Sequence, residues 1–169
     1  CALQQALQAA GANNPVDALS PRFGFIWILD RRYPEQMQAT IECAVAARQH
    51  APDFLLGLDL AGDESTQNPE SLAQYFIPAF RECMPITIHA GEGESADNIW
   101  QAAYHLHADR IGHGLSLADN PSLATRFRDR GICLELCPTS NLEVVGFRDP
   151  AQASATAGLP AYPLRQFLD

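Results

Sequence analysis

The sequence predicts an α/β fold built on parallel strands, a (β/α)8 TIM-barrel present in part. Three observations carry that prediction. Short apolar runs recur along the chain, one helix-like stretch separates each from the next, and polar clusters close the runs. Near-continuous apolar strands alternating with helices mark parallel βα units buried on both faces. That period alone also fits a doubly wound open sheet. At least three successive runs end in functional residue types, however, and a barrel collects its site at the C-terminal ends of several strands. An open sheet concentrates its site at one switch point. A complete barrel takes about 250 residues. The 169 residues here therefore predict about five-eighths of a barrel, as a single domain over 1–169. The start at Cys1 and the end at Asp169, inside a helix-like stretch, fit a fragment.

The first strand is expected over 23–29. Pro34 opens a helix whose buried face is marked by Met37, Ile41 and Val45. A second strand follows over 54–60, then a helix over 69–83. Asn68 serves as its N-cap, and Pro69 sits in the first turn, where a missing N–H costs nothing. Leu72, Tyr75, Phe76, Ala79, Phe80 and Cys83 share one face of that helix. The third strand covers 85–89, the next helix 96–108 and the fourth strand 110–113. Asn120 and Pro121 repeat the cap signal ahead of a helix faced by Leu123 and Phe127. A fifth strand over 132–137 sets Cys133 and Cys137 on one side as buried small hydrophobes. Residues 163–169 read as a last helix, and Trp27, Trp100, Tyr104 and the phenylalanines as core or helix-packing residues.

Composition narrows the classes of function. With 47% hydrophobic and 18% charged residues, the chain is globular rather than disordered. A net charge of −9 argues against nucleic acid, whose phosphates are bound by Lys and Arg. No apolar run approaches the roughly 20 residues that cross a bilayer, so no membrane partner is expected. The five cysteines are scattered without a C-x-x-C pair. They fit a reduced, cytoplasmic setting with free thiols.

His89-Ala90-Gly91-Glu92 closes the third strand. A histidine there can bind zinc through one ring nitrogen while an acceptor holds the other. Glu92 lies where a carboxyl can shuttle protons. Alone, H-x-x-E is equally a capping histidine with a solvated glutamate. The flanking clusters shift the weight. In Asp59-Leu60-Ala61-Gly62-Asp63-Glu64, the small Gly62 lets a backbone N–H face a planar ligand. The three acids are otherwise a magnesium site or charges favoured at a helix start. In Arg110-Ile111-Gly112-His113-Gly114, two glycines let backbone and ligand approach His113 closely, which is otherwise a turn histidine. Glu135 and residues 137–141 end the fifth strand and line the site by position. His105-Leu106-His107 is not expected to bind metal, because i and i+2 diverge on a helix.

D-L-A-G-D-E, H-A-G-E, R-I-G-H-G and E-L-C-P-T-S-N, in this order and spacing, resemble the adenosine deaminase family of zinc-dependent aminohydrolases. The likeness runs from about residue 23 to the end and implies a (β/α)8 barrel of which this chain supplies about strands three to seven with their helices, without the first two strands and the last. The H-x-E…P-C-x-x-C signature of the other zinc deaminases is absent. The resemblance implies one Zn2+ per complete site, with His89 as the third zinc-binding histidine. It also implies that Glu92 protonates the purine ring nitrogen, that His113 orients the metal-activated hydroxide, and that the Gly62 N–H contacts the purine. The implied reaction is hydrolytic deamination of a small-molecule purine nucleoside, adenosine or 2'-deoxyadenosine, to inosine or its deoxy form plus ammonia. Adenine, an adenine nucleotide or a modified aminopurine are the alternative substrates, and a catalytically inactive barrel module with a structural or interaction role is the alternative class. Retention of His89, Glu92 and His113 together speaks for the enzyme.

The family's H-x-H zinc pair and its strand-eight aspartates lie outside these 169 residues. A catalytic zinc takes at least three protein ligands. The chain alone is therefore expected to bind zinc weakly, not to turn over, and to expose sheet edges and interior apolar faces. Ala161-Tyr162-Pro163 stands where many relatives have His-Pro, and residues 142–159 depart from the family pattern beside the substrate pocket.

Overall fold

The computed structural model describes residues 24–66, 69–149, 151 and 154–168. Strands β1 (Phe25–Asp30), β2 (Leu55–Ala61), β3 (Ile86–Ala90), β4 (Arg110–His113) and β5 (Cys133–Glu135) form one parallel sheet in the order β1-β2-β3-β4-β5. Each strand pairs with the next in sequence and the order never reverses. No switch point exists in this sheet, so the doubly wound alternative falls and the arc of a (β/α)8 barrel remains.

Helices connect the strands on one side. α1 (Pro34–His50) follows β1. α2 (Pro69–Leu72), a 3-10 turn over Ala73–Phe76 and α3 (Ile77–Arg81) follow β2. α4 (Ala96–Tyr104) follows β3, and a 3-10 turn over Leu115–Asp119 leads into α5 (Pro121–Arg130) after β4. α6 (Pro138–Val144) and α7 (Leu164–Leu168) come last.

The core lies between sheet and helices. Leu58, Leu60, Ile86, Ile88 and Ile111 project from the strands onto Met37, Ile41, Phe76, Ile99, Leu123 and Phe127. Each such side chain contributes about 1.5–3 kcal/mol by leaving water. The face marked by Met37 and Ile41 is buried as the periodicity requires. Asn120 also caps α5 as expected, its Oδ1 accepting from the Leu123 N–H at 3.1 Å.

Other expectations fail for local reasons. The single helix over 69–83 is broken in three, because Pro78 lacks an N–H and its ring collides with the carbonyl four residues back. Cys83 leaves the helix, exposed, with φ 47°. The helix after β3 stops at Tyr104, short of residue 108. β5 ends at Glu135, so Cys137 precedes α6 instead of sharing a strand face with Cys133. Both thiols are exposed rather than buried, since β5 is flanked on one side only among the described residues. Trp27 and Trp100 are likewise exposed instead of lying in the core. Cys1, Phe23, Asn68 and Asp169 fall outside the described residues.

Candidate active site

The C-terminal ends of β2, β3 and β4 converge on two imidazoles. Gly112 pairs with His89 across the strands, and a Cβ at Gly112 would come within 2.9 Å of the His89 ring. The glycine is what gives that ring its place. Alternation along β4 would send the next residue, His113, to the opposite face. Instead its φ is 66°, the left-handed region that few non-glycine residues enter. This turn brings the two rings to 4.9 Å between centroids, nearly edge to face.

A hydrogen-bonded chain runs through them. His89 Nε2 donates to Asp59 Oδ2 at 3.1 Å, and His113 Nε2 lies 3.2 Å from His89 Nδ1. His113 Nδ1 accepts from the Asn141 amide at 2.8 Å. The same amide donates to Glu92 Oε1 at 2.8 Å, which sits 3.4 Å from His113 Nδ1. The Asp59 carboxylate bonded to its ring raises the pKa of His89 above the ordinary imidazole value. Burial pushes His113 the other way; only 5% of it is exposed, and desolvation disfavours its cation.

The turn that carries Glu92 is pinned from β2. The Glu64 carboxylate accepts the Gly91 N–H at 2.7 Å and the Glu92 N–H at 3.1 Å. Buried Arg31, just beyond β1, donates from Nη2 to the His89 carbonyl oxygen at 2.6 Å. Gly62 stands past the end of β2 with φ 94°, where a Cβ would run into the Asp30 carboxylate.

His89, Glu92 and His113 thus come together as the sequence predicts, and Gly62 lies at the tip of the neighbouring strand. The acids of the second cluster do not form a magnesium site. Asp59 turns to His89, Asp63 to Ser65 and Glu64 to the β3 turn. Glu135 does not line the imidazole pair either; it forms an ion pair with Arg110 at 2.9 Å. Of the segment after β5, Ser140 and Asn141 do reach Glu92. His105 and His107 go separate ways, to Glu70 and to Phe80. Arg31 escapes sequence reasoning, because nothing local separates it from Arg32, which pairs with Asp30 at the surface.

The residues fit part of a zinc site. Asp59 Oδ1 is buried without a hydrogen-bond partner beside the His89 ring, and a carboxylate holding one nitrogen of a histidine is the usual support of a metal ligand. Among the described residues, no three His, Cys, Asp or Glu converge on one point, so His89 would be one ligand of several.

The C-terminal tips of an arc of parallel strands thus gather a carboxylate-held histidine, a buried second histidine and a glutamate in hydrogen-bond reach of one amide. The chain belongs to the adenosine deaminase family, whose model matches residues 2–169. It is 34% identical over 160 residues to an adenosine deaminase of Pseudoalteromonas translucida, covering 94% of this chain and 44% of the relative. It is 35% identical over 169 residues to an adenosine deaminase of Photorhabdus laumondii, covering 99% and 45%. The chain therefore spans about half the length of the curated relatives it matches. Its fold superimposes on an amidohydrolase of Burkholderia ambifaria solved with bound zinc, with a TM-score of 0.67 and 26% identity over 86% of this chain and 38% of that one.

Proposed function

We propose that the natural protein carrying this chain is a zinc-dependent aminohydrolase that converts adenosine or 2'-deoxyadenosine to inosine or deoxyinosine plus ammonia. The observation that carries the reading is the meeting of His89, His113 and Glu92 at the tips of β3 and β4, in a chain of this family.

Zinc held by His89 and by ligands beyond the described residues would lower the pKa of a water to near neutrality and so supply a nucleophile. The chain's own residues do the rest. Burial keeps His113 neutral near pH 7, so its ring N–H can steady an incoming oxygen rather than repel the metal. Glu92, held by the Asn141 amide and by a backbone turn pinned to Glu64, is the proton carrier. It delivers a proton to the purine ring nitrogen as C6 gains a hydroxyl, then takes the proton of that hydroxyl and passes it to the departing amine, which leaves as ammonia. Gly62 offers its backbone N–H to the edge of the purine. Asp59 and Arg31 hold His89 by ring and carbonyl.

The ligand class that suits this mouth is a small purine nucleoside. A net charge of −9 gives no footing for nucleic acid, and no described helix is long and apolar enough to cross a membrane. The free thiols at Cys43, Cys83, Cys133 and Cys137 support a reduced, cytoplasmic setting.

The test follows ammonia release and the loss of adenosine absorbance. Glu92→Gln should lower kcat by about 10²–10⁴-fold with zinc content unchanged. His89→Ala should lose the zinc itself. Adenine and adenine nucleotides run beside adenosine, and turnover of one of them alone would move the substrate assignment. No turnover of any aminopurine by the zinc-loaded protein would sink the enzyme reading and leave the inactive barrel module.

A further inference from the structure

We propose that Asn141 and Tyr162 act as a clamp that sets which nitrogen of His113 carries the proton and which way Glu92 faces. The catalytic consequence rests on the deaminase reading; the geometry does not.

Asn141, on α6, is fully buried at 0% exposure. A side-chain amide has two N–H donors at one end and an acceptor at the other. Here both donors are used and the oxygen is engaged. Nδ2 donates to Glu92 Oε1 and to His113 Nδ1, each at 2.8 Å. Oδ1 accepts from the Tyr162 hydroxyl, also at 2.8 Å. Because Nδ2 can only donate, Nδ1 of His113 must present its lone pair. The neutral ring then carries its hydrogen on Nε2, the nitrogen that faces His89. That is the side where the metal ligand lies, so the clamp delivers the N–H to the place where chemistry needs it.

A flipped amide would set Oδ1 against the Glu92 carboxylate and the His113 lone pair, acceptor against acceptor in a buried site. The Tyr162 hydroxyl blocks that flip by rewarding one orientation. Its ring is itself placed, edge-on to Phe147 at 5.2 Å. Burial and the Glu92 charge hold the phenol above its ordinary pKa, so it remains a donor. Both act through His113 and Glu92, so both are positioning residues.

The experiment reads ring nitrogens. The natural protein is labelled with 15N at histidine, and the two-bond proton–nitrogen correlations of His113 report which nitrogen is bare. In the parent, Nδ1 should be the bare one. Asn141→Asp replaces a donor by an acceptor and should move the proton to Nδ1. Tyr162→Phe keeps the ring on Phe147 and should yield a mixture of the two tautomers. On the catalytic side, Tyr162→Phe should cost about 10–100-fold in kcat with KM little changed. Asn141→Asp should cost more, as a wrong histidine tautomer does. Should the aspartate variant fail to fold, the phenylalanine variant decides alone. A protonated Nδ1 in the parent overturns the clamp, and so does a His113 tautomer indifferent to both substitutions. Tautomers that shift as expected in a protein that deaminates no purine would uphold the clamp and defeat only the deaminase reading.

Discussion

β1 and β3 are both apolar strands of the same sheet, Phe-Ile-Trp-Ile-Leu-Asp in one and Ile-Thr-Ile-His-Ala in the other. By composition β1 has the stronger claim to the interior. Yet Ile28 of β1 is 61% exposed, while Ile88 of β3 is 0% exposed. β3 pairs with β2 on one side and β4 on the other, and α4 packs across it. β1 has one described neighbour, β2. An apolar run therefore specifies a strand, and among the described residues its burial follows the number of strands beside it. The histidine and glutamate of the site follow the doubly flanked strand, where neighbours on both sides can fix a side chain to the precision that catalysis needs.

The largest test of that contrast is one substitution made twice. Ile88→Ala should destabilise the protein by about 2–5 kcal/mol, through lost burial and the cavity left behind. In the 169-residue chain, where β1 has one described neighbour, Ile28→Ala should stay within about 0.5 kcal/mol, as exposed positions do. Urea unfolding of the two variants reads the difference directly. Equal losses would mean that β1 is buried in solution and that the contrast is false.

The two strand tips differ in the same way. At β3, Glu64 reaches across from β2 to accept the N–H groups of Gly91 and Glu92. At β1, Asp30 is satisfied within its own turn by Arg32. Glu64→Gln should cost about 1.5–3 kcal/mol, because hydrogen bonds to a charged group are the strong ones. Asp30→Asn should cost less than about 1 kcal/mol, the range of exposed ion pairs. Gly112→Ala sharpens the point at the ring itself. A methyl 2.9 Å from the His89 ring must displace it, and zinc affinity should fall about 10–100-fold, the effect of a disturbed ligand support. Zinc titration against a chelator of known affinity measures that loss.

Much of this was legible from residues alone, and the gaps have physical causes. The strand–helix alternation and the tips at His89, Glu92 and His113 are local facts, readable from short segments with fixed spacing. The broken helix was readable too, since Pro78 is visible in the sequence, but an amphipathic face outweighs one proline in a periodicity argument. What stays hidden is whatever depends on a partner distant in sequence. Arg31 looks like Arg32 until the fold lays it under the His89 carbonyl, fifty-eight residues on. Glu64 looks like a helix-start charge until β3 comes alongside β2. Asn141 stands in a segment that position alone assigns to the site, and Tyr162 in one that departs from a family pattern. Their shared hydrogen bond appears only when both are placed.

The two helices on either side of β4 carry the smallest test and the same lesson. Ser95 precedes α4 and Asn120 precedes α5, and both residue types rank among the best N-caps. Only Asn120 caps with its side chain, accepting the Leu123 N–H, whereas Ser95 makes no side-chain cap bond. Asn120→Ala should therefore cost about 0.5–2 kcal/mol. Ser95→Ala should cost no more than a few tenths, having no bond to lose. Thermal unfolding of the pair separates residue type from geometry. If the serine variant loses as much as the asparagine one, residue propensity rather than the side-chain bond governs these helix starts.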